Sequence, residues 1–286
     1  MRGDPGTGKS QLARAAACAL NRRFFSEVVN AHTEIQDLWY RFDAVSRLGH
    51  AQVLGVTARD KPQEAIEAEL DPRRYLRPGI LWWAFDPCGA ERHLSKFHAI
   101  RPDLRNGDDQ HDGVILLIDE IDKADADLPN GLLETLDNGR FRIPWLEETI
   151  GSGDTGPQPL VVITTNEDRQ LPGAFVRRCM VLNLHLPNDS QAFTRFMMRR
   201  GRQHFPGVFS PRVRCTVAEQ LYADRLQARV LGVTPPGQAE FLDILRVLRE
   251  FGGSDDQQLE NLREIRDFAL RKHPGMDRVE RGGRED

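Results

Sequence analysis

Two kinds of apolar spacing divide this chain. Up to Pro187, apolar residues gather in short unbroken runs. Residues 114–118 form a continuous run, as expected of a strand buried on both faces. Residues 24–30 and 160–165 read as further strands, and 179–186 as another apolar run. The Ala-rich stretch 12–20 suits a helix. After Pro187 the apolar positions recur at helical spacing instead. Asn188, Asp189 and Ser190 offer a cap for a helix running to about residue 204. A second helix fits 216–231. Phe241, Leu242, Ile244, Leu245 and Leu248 make one face of a third, and Leu259, Leu262, Ile265 and Ala269 one face of a fourth. The pattern predicts an α/β core over 1–187 and a helical lid over 188–272. The tail 273–286 has almost nothing to bury and reads as disordered. Two polar, turn-rich stretches, 101–113 and 151–159, read as exposed loops.

Composition narrows the classes. The 286 residues are 40% hydrophobic and 29% charged, with a net charge of −4, so no global positive field draws the chain to nucleic acid or to an anionic membrane. No apolar run approaches the roughly 20 residues of a membrane span. Nor does the N-terminus carry a signal-peptide core. Cys18, Cys88, Cys179 and Cys215 lie far apart without a C-x-x-C pair, which reads as reduced thiols in a cytoplasmic protein.

The chemistry concentrates at the ends of the predicted strands. Gly3, Asp4, Pro5, Gly6, Thr7, Gly8, Lys9 and Ser10 fit G-x-x-x-x-G-K-[ST], the phosphate-binding loop. Glycines let the backbone approach a ligand, and the loop's N–H groups form a nest at the positive end of the following helix. Lys9 suits the β- and γ-phosphates of ATP, and the Ser10 hydroxyl suits Mg²⁺. The bland alternative is a glycine turn before a helix. The run 114–118 ends in Asp119 and Glu120. Asp119 suits Mg²⁺, through water, and Glu120 suits polarising an attacking water. Alone, that pair reads equally as a strand end meeting solvent; the phosphate loop tips the balance towards function. Asn166, at the end of 160–165, suits orienting the lytic water, or else simply caps a turn. Arg177 and Arg178 are either a solvated charge patch or, at this place in the order, an arginine finger.

The succession of phosphate loop, strand ending Asp-Glu, strand ending Asn, and "LPGAFVRR" resembles the AAA+ ATPases, and within them the MoxR-like branch. "LPNGLLETLDNGRFRIP" (128–144) is similar to that branch's helix leading into a β-hairpin. "LRPGILWWAF" (76–85) and "DLWYRFDAVSRL" (37–48) are similar to other segments of these ATPases. The resemblance implies a P-loop NTPase fold and Mg-ATP hydrolysis, with Gly3 to Ser10 as Walker A and Asp119 and Glu120 as Walker B. It further implies Asn166 as sensor 1 and Arg178 as the finger, with Arg177 as the fallback. It implies a homo-oligomeric ring of about six subunits closed head to tail. It also implies a protein client to be remodelled or chaperoned, with a von Willebrand factor A domain protein as a partner. The long gap between Lys9 and Asp119 implies a helical insert over about 31–112. Trp39, Tyr40, Trp82 and Trp83 fall there and read as core, with a polypeptide-gripping pore the alternative. No sensor 2 residue is assigned, because 234–251 carries Gly237, Gln238 and Ala239 where an arginine is usual. Alternative functions are a nucleotide-gated switch with little turnover and a DNA-acting ATPase, the latter without a basic stripe to support it.

Only Met1 and Arg2 precede the phosphate loop, too few for a strand of five or six residues. The first strand of the resembled fold therefore reads as missing and the chain as truncated upstream. About four core strands are expected. The absent strand would have lain between the Asp119 strand and the Asn166 strand, leaving edges that favour aggregation and weak activity.

Overall fold

The computed structural model describes residues 1–58, 61–97, 113–146, 149–151 and 158–269. The predicted tail and most of the two predicted loops, 101–112 and 152–157, lie outside these residues. The chain divides into two compact units, one of Ser10–Val181 and one of Met1–Lys9 with Leu182–Asp286.

The first of these holds a parallel sheet of three strands in the order β1 (Arg23–Val28), β4 (Val114–Asp119), β7 (Leu160–Ile163). Register runs from Arg23 opposite Val114 to Val28 opposite Asp119, and from Ile115 opposite Leu160 to Ile118 opposite Ile163. The β4 run is apolar on both faces because it is central: Val114, Ile115, Leu116, Leu117 and Ile118 are all buried. As an edge strand, β7 is only half-buried. Between β1 and β4 come helices α2 (Ile35–Trp39), α3 (Ala44–Thr57), α4 (Gln63–Glu69), α5 (Ile80–Phe85) and α6 (Pro87–Phe97), with an antiparallel pair β2 (Tyr40–Phe42) and β3 (Leu76–Pro78). Five residues of α5 are buried, and Trp83 stacks on Phe25 of β1 with ring centroids 5.7 Å apart. Trp82, Trp83 and Tyr40 are core residues, which settles the choice against pore-facing aromatics for these three. Helix α7 (Asp127–Asn138) ends on Gly139 and leads into the hairpin β5 (Phe141–Arg142) and β6 (Thr149–Ile150).

The other unit is helical, with α9 (Ser190–His204), α10 (Pro211–Val230), α11 (Gln238–Phe251) and α12 (Asp255–Ala269). Asp189 caps α9 by accepting from Ala192 N–H at 2.8 Å. Helix α10 begins earlier than its apolar spacing predicts, because Ser210 caps it and Pro211 sits at its first position. Phe193, Met197, Val217, Leu221, Phe241 and Leu245 are fully buried in one cluster.

Two strand expectations are corrected. Among the described residues the parallel sheet has three strands rather than about four: residues 179–186 form no ladder, and of them Asn183 alone bridges, in parallel, to Arg2. That bridge rests on two backbone bonds, Arg2 N–H to Leu182 O at 2.9 Å and Leu184 N–H to Arg2 O at 2.8 Å. In addition, β4 has no edge for a missing strand, since β1 and β7 take both of its sides. Among the described residues no helix is long and apolar enough to cross a membrane.

Candidate functional site

Residues Gly3 to Lys9 of the phosphate loop belong to the helical unit. Gly3 has φ +146°, and a Cβ there would lie 2.2 Å from Leu184 O, so only glycine fits. Gly6 and Gly8 also take positive φ, at +73° and +92°. The Asp4 carbonyl accepts from Thr7 Oγ1 at 2.8 Å. Lys9 is buried, and its Nζ donates to Gly3 O at 2.6 Å and Asp4 O at 3.0 Å. The ammonium thus folds back onto the loop's own carbonyls. Helix α1 (Lys9–Ala19) starts at this lysine with no acidic residue in its first turn, and a helix N-terminus is the end that suits an anion. The loop is further held by Ala239 N–H of α11, which donates to Gly6 O at 3.2 Å.

The carboxylates form a separate cluster in the sheet unit. Ser10 Oγ lies 3.0 Å and 2.8 Å from the two Asp119 oxygens and shares its proton between them. Thr164 Oγ1 donates to Asp119 Oδ1 and accepts from Glu120 N–H at 3.0 Å. Glu120 adopts the left-handed conformation, φ 60° and ψ 46°, uncommon for a residue with a side chain. Backbone outliers of this kind collect at functional sites. Its carboxylate accepts from Asn166 Nδ2 at 3.3 Å and pairs with Lys123 Nζ. Accepting from Lys123, Glu120 holds that ammonium's pKa above the ordinary lysine value. Buried Asp122 accepts from Asp168 N–H at 2.9 Å and Asn166 N–H at 3.2 Å, fixing the turn that presents Asn166.

Of the residues singled out from sequence, Ser10, Asp119, Glu120 and Asn166 are therefore joined in one hydrogen-bonded cluster. Gly3 to Lys9 form the loop. Arg177 and Arg178 stand apart, at the end of the short helix α8 (Gly173–Arg177). Both are exposed; Arg178 Nε lies 2.9 Å from Asp137 Oδ2, a pair half open to water on both sides. Thr164, Asp122, Lys123 and Asp137 escaped sequence reasoning. Thr164 was detectable only through register, which sets Ile163 beside Ile118 and so brings the next residue to Asp119.

A hydroxyl and a carboxylate, both hard oxygen donors, suit Mg²⁺, so Ser10 and Asp119 fit that ion.

A profile of the AAA domain (dynein-related subfamily) matches residues 1–179. No curated protein sequence matches the chain. Among solved structures, a mutant RuvB from Thermotoga maritima is 14% identical, with a TM-score of 0.38, over 92% of this chain and 68% of that one. A candidate ATPase from Cytophaga hutchinsonii is 15% identical, with a TM-score of 0.38, over 87% of this chain and 68% of that one. With the profile spanning more than half of its length, the chain belongs to the AAA domain family, in the dynein-related subfamily.

Proposed function

We propose that this chain is a Mg-ATP-dependent ATPase of the MoxR-like type that remodels or chaperones a protein client. The observation that carries the reading is the cluster in which Asp119, Glu120, Thr164 and Asn166, four polar groups at the ends of two adjacent strands, are joined to Ser10 of α1. Carboxyl ends of parallel strands are where α/β sheets bind ligands. In this reading the loop N–H groups and Lys9 bind the phosphates, exchanging the Gly3 and Asp4 carbonyls for phosphate oxygens. Ser10 and Asp119 hold Mg²⁺, which neutralises phosphate charge when bound. Glu120 accepts a proton from the attacking water, and Asn166 orients that water or the carboxylate. Arg178, or Arg177 in its place, serves a neighbouring subunit's nucleotide in a head-to-tail ring, and a von Willebrand factor A domain protein is the partner class. Calorimetry with Lys9→Ala tests the nucleotide site: ATP binding should be lost, and unchanged affinity sinks the assignment. Mixing Arg178→Ala with Lys9→Ala protein tests the ring: partial recovery of turnover is expected, and none at any ratio counts against action between subunits.

A second reading, a nucleotide-gated switch with little turnover, is favoured by one contact. Lys123 occupies a Glu120 oxygen, and a base so paired is less available to water. Measurable steady-state turnover of the isolated protein would set this reading aside.

A further inference from the structure

We infer that Arg225 is a positioning residue for the phosphate loop, through which the helical unit sets the loop's affinity for nucleotide; this rests on the reading that the loop binds ATP. Arg225 lies near the end of α10 with its side chain only 2% exposed. Its Nη2 donates to Asp4 Oδ2 at 2.6 Å and its Nη1 to Pro236 O at 2.9 Å, while Nε has no partner. A buried guanidinium that leaves a donor unsatisfied is a costly way to fill a core position, and an apolar side chain of similar volume would pack there more cheaply. What the guanidinium adds is direction. It holds a loop residue that, like Gly3, receives Lys9: the Asp4 carbonyl accepts from Lys9 Nζ and from Thr7 Oγ1.

The contacts continue along the chain. Pro236 leads into α11, whose Ala239 N–H donates to Gly6 O. Glu240 Oε2 accepts from Gly237 N–H at 2.8 Å, holding that turn closed. The end of α10, the turn before α11 and the loop over residues 4–6 are thus one connected set, with Arg225 touching two of its three parts. When a phosphate draws Lys9 away from the Gly3 and Asp4 carbonyls, those carbonyls lose a donor. Arg225 then keeps Asp4 from relaxing with them. Asp4 in turn neutralises Arg225, so the buried cation is compensated whether or not an anion is bound.

The test is ATP binding and steady-state kinetics on the full chain. Arg225→Met keeps the packing volume and removes the charge. It should raise the Kd for ATP about tenfold, in line with loss of one charge-assisted hydrogen bond, and raise KM while kcat at saturation stays within about threefold. Arg225→Lys should recover part of the loss. Asp4→Asn, on a half-exposed side chain, carries the test even if Arg225→Met fails to fold, and should act in the same direction. The double variant should be no worse than the weaker single, because both remove one interaction. Single variants binding within about twofold of a wild type that itself binds ATP would overturn the inference, as would effects that multiply in the double variant. A wild type that fails to bind ATP at all would overturn the ATP reading and the inference with it.

Discussion

The carboxylate cluster and the phosphate loop are built on opposite principles. Asp119, Glu120 and Asn166 stand at or just beyond the ends of β4 and β7, and the register of two parallel strands decides which side chains meet. Gly3 to Lys9 belong to no strand. They are held by one backbone bridge at Arg2, by Arg225 and by the N-terminus of α11. A strand-borne group is fixed by many ladder bonds that no single side chain controls. A loop-borne group depends on a few named contacts distant in sequence. The cluster should therefore tolerate conservative changes in position but not in chemistry, whereas the loop should lose affinity when a contact far from the phosphates is removed.

The largest expected effect separates the two regions. Glu120→Gln keeps shape and removes the base, so ATP should still bind while turnover falls by about two to four orders of magnitude. Wild-type turnover in that variant would remove Glu120 from the chemistry. Next comes Trp83→Ala, which empties a core position under the sheet and should cost about 3–5 kcal/mol, read as a lower urea midpoint. If the cluster is held by the ladder rather than by local packing, any protein that still folds should keep its ATP affinity.

Thr164→Val tests the link between the two strands. It removes the donor to Asp119 and the acceptor of Glu120 N–H, and should destabilise the chain by about 1–3 kcal/mol. Equal urea midpoints for this variant and wild type would show the hydroxyl to be dispensable. Gly3→Ala makes the corresponding test of the loop. Its Cβ has nowhere to go beside Leu184 O, so ATP affinity should fall while stability drops by about 1–3 kcal/mol or less, read as a lower urea midpoint. Unaltered affinity would mean that the loop's entry does not govern binding.

The smallest expected effect is a pH dependence confined to the sheet unit. His93 of α6 is buried against Trp82 and Phe97 and donates from Nε2 to Leu76 O at 3.0 Å. Burial pushes its pKa below the usual 6.5. The unfolded chain then protonates first as pH falls, so this contribution is complete above pH 6.5 and declines below it. Urea midpoints compared above and below that pH should show the decline in wild type and a weaker one in His93→Gln. An equal decline in both would assign it to other groups.

Much of this was legible beforehand. The glycine loop, the β4 run with its acidic end, Asn166 and the Asp189 cap are local patterns, and each stands where local physics puts it. The sheet's edges were not legible, because strand order depends on which segments lie side by side. Hence the expectation that a further strand belonged beside β4 failed: that strand was already covered on both sides. The start of α10, read at 216, lies at Pro211, because the cap Ser210 and the proline that start the helix are polar or punctuating residues outside its apolar spacing.

By itself, then, the sequence determined the chemical inventory: a phosphate-binding loop, two carboxylates at a strand end, an amide at another and a run of amphipathic helices. These follow from short-range rules in which each residue answers to neighbours a few positions away. Only the tertiary structure decided the partnerships: Thr164 with Asp119, Lys123 and Asn166 with Glu120, Asp137 with Arg178, and Arg225 with Asp4. Asp4 and Arg225 illustrate the reason. They are more than two hundred positions apart. Nothing in local spacing couples an arginine on α10 to a loop at the other end of the chain until folding buries the guanidinium and obliges it to find a counter-charge.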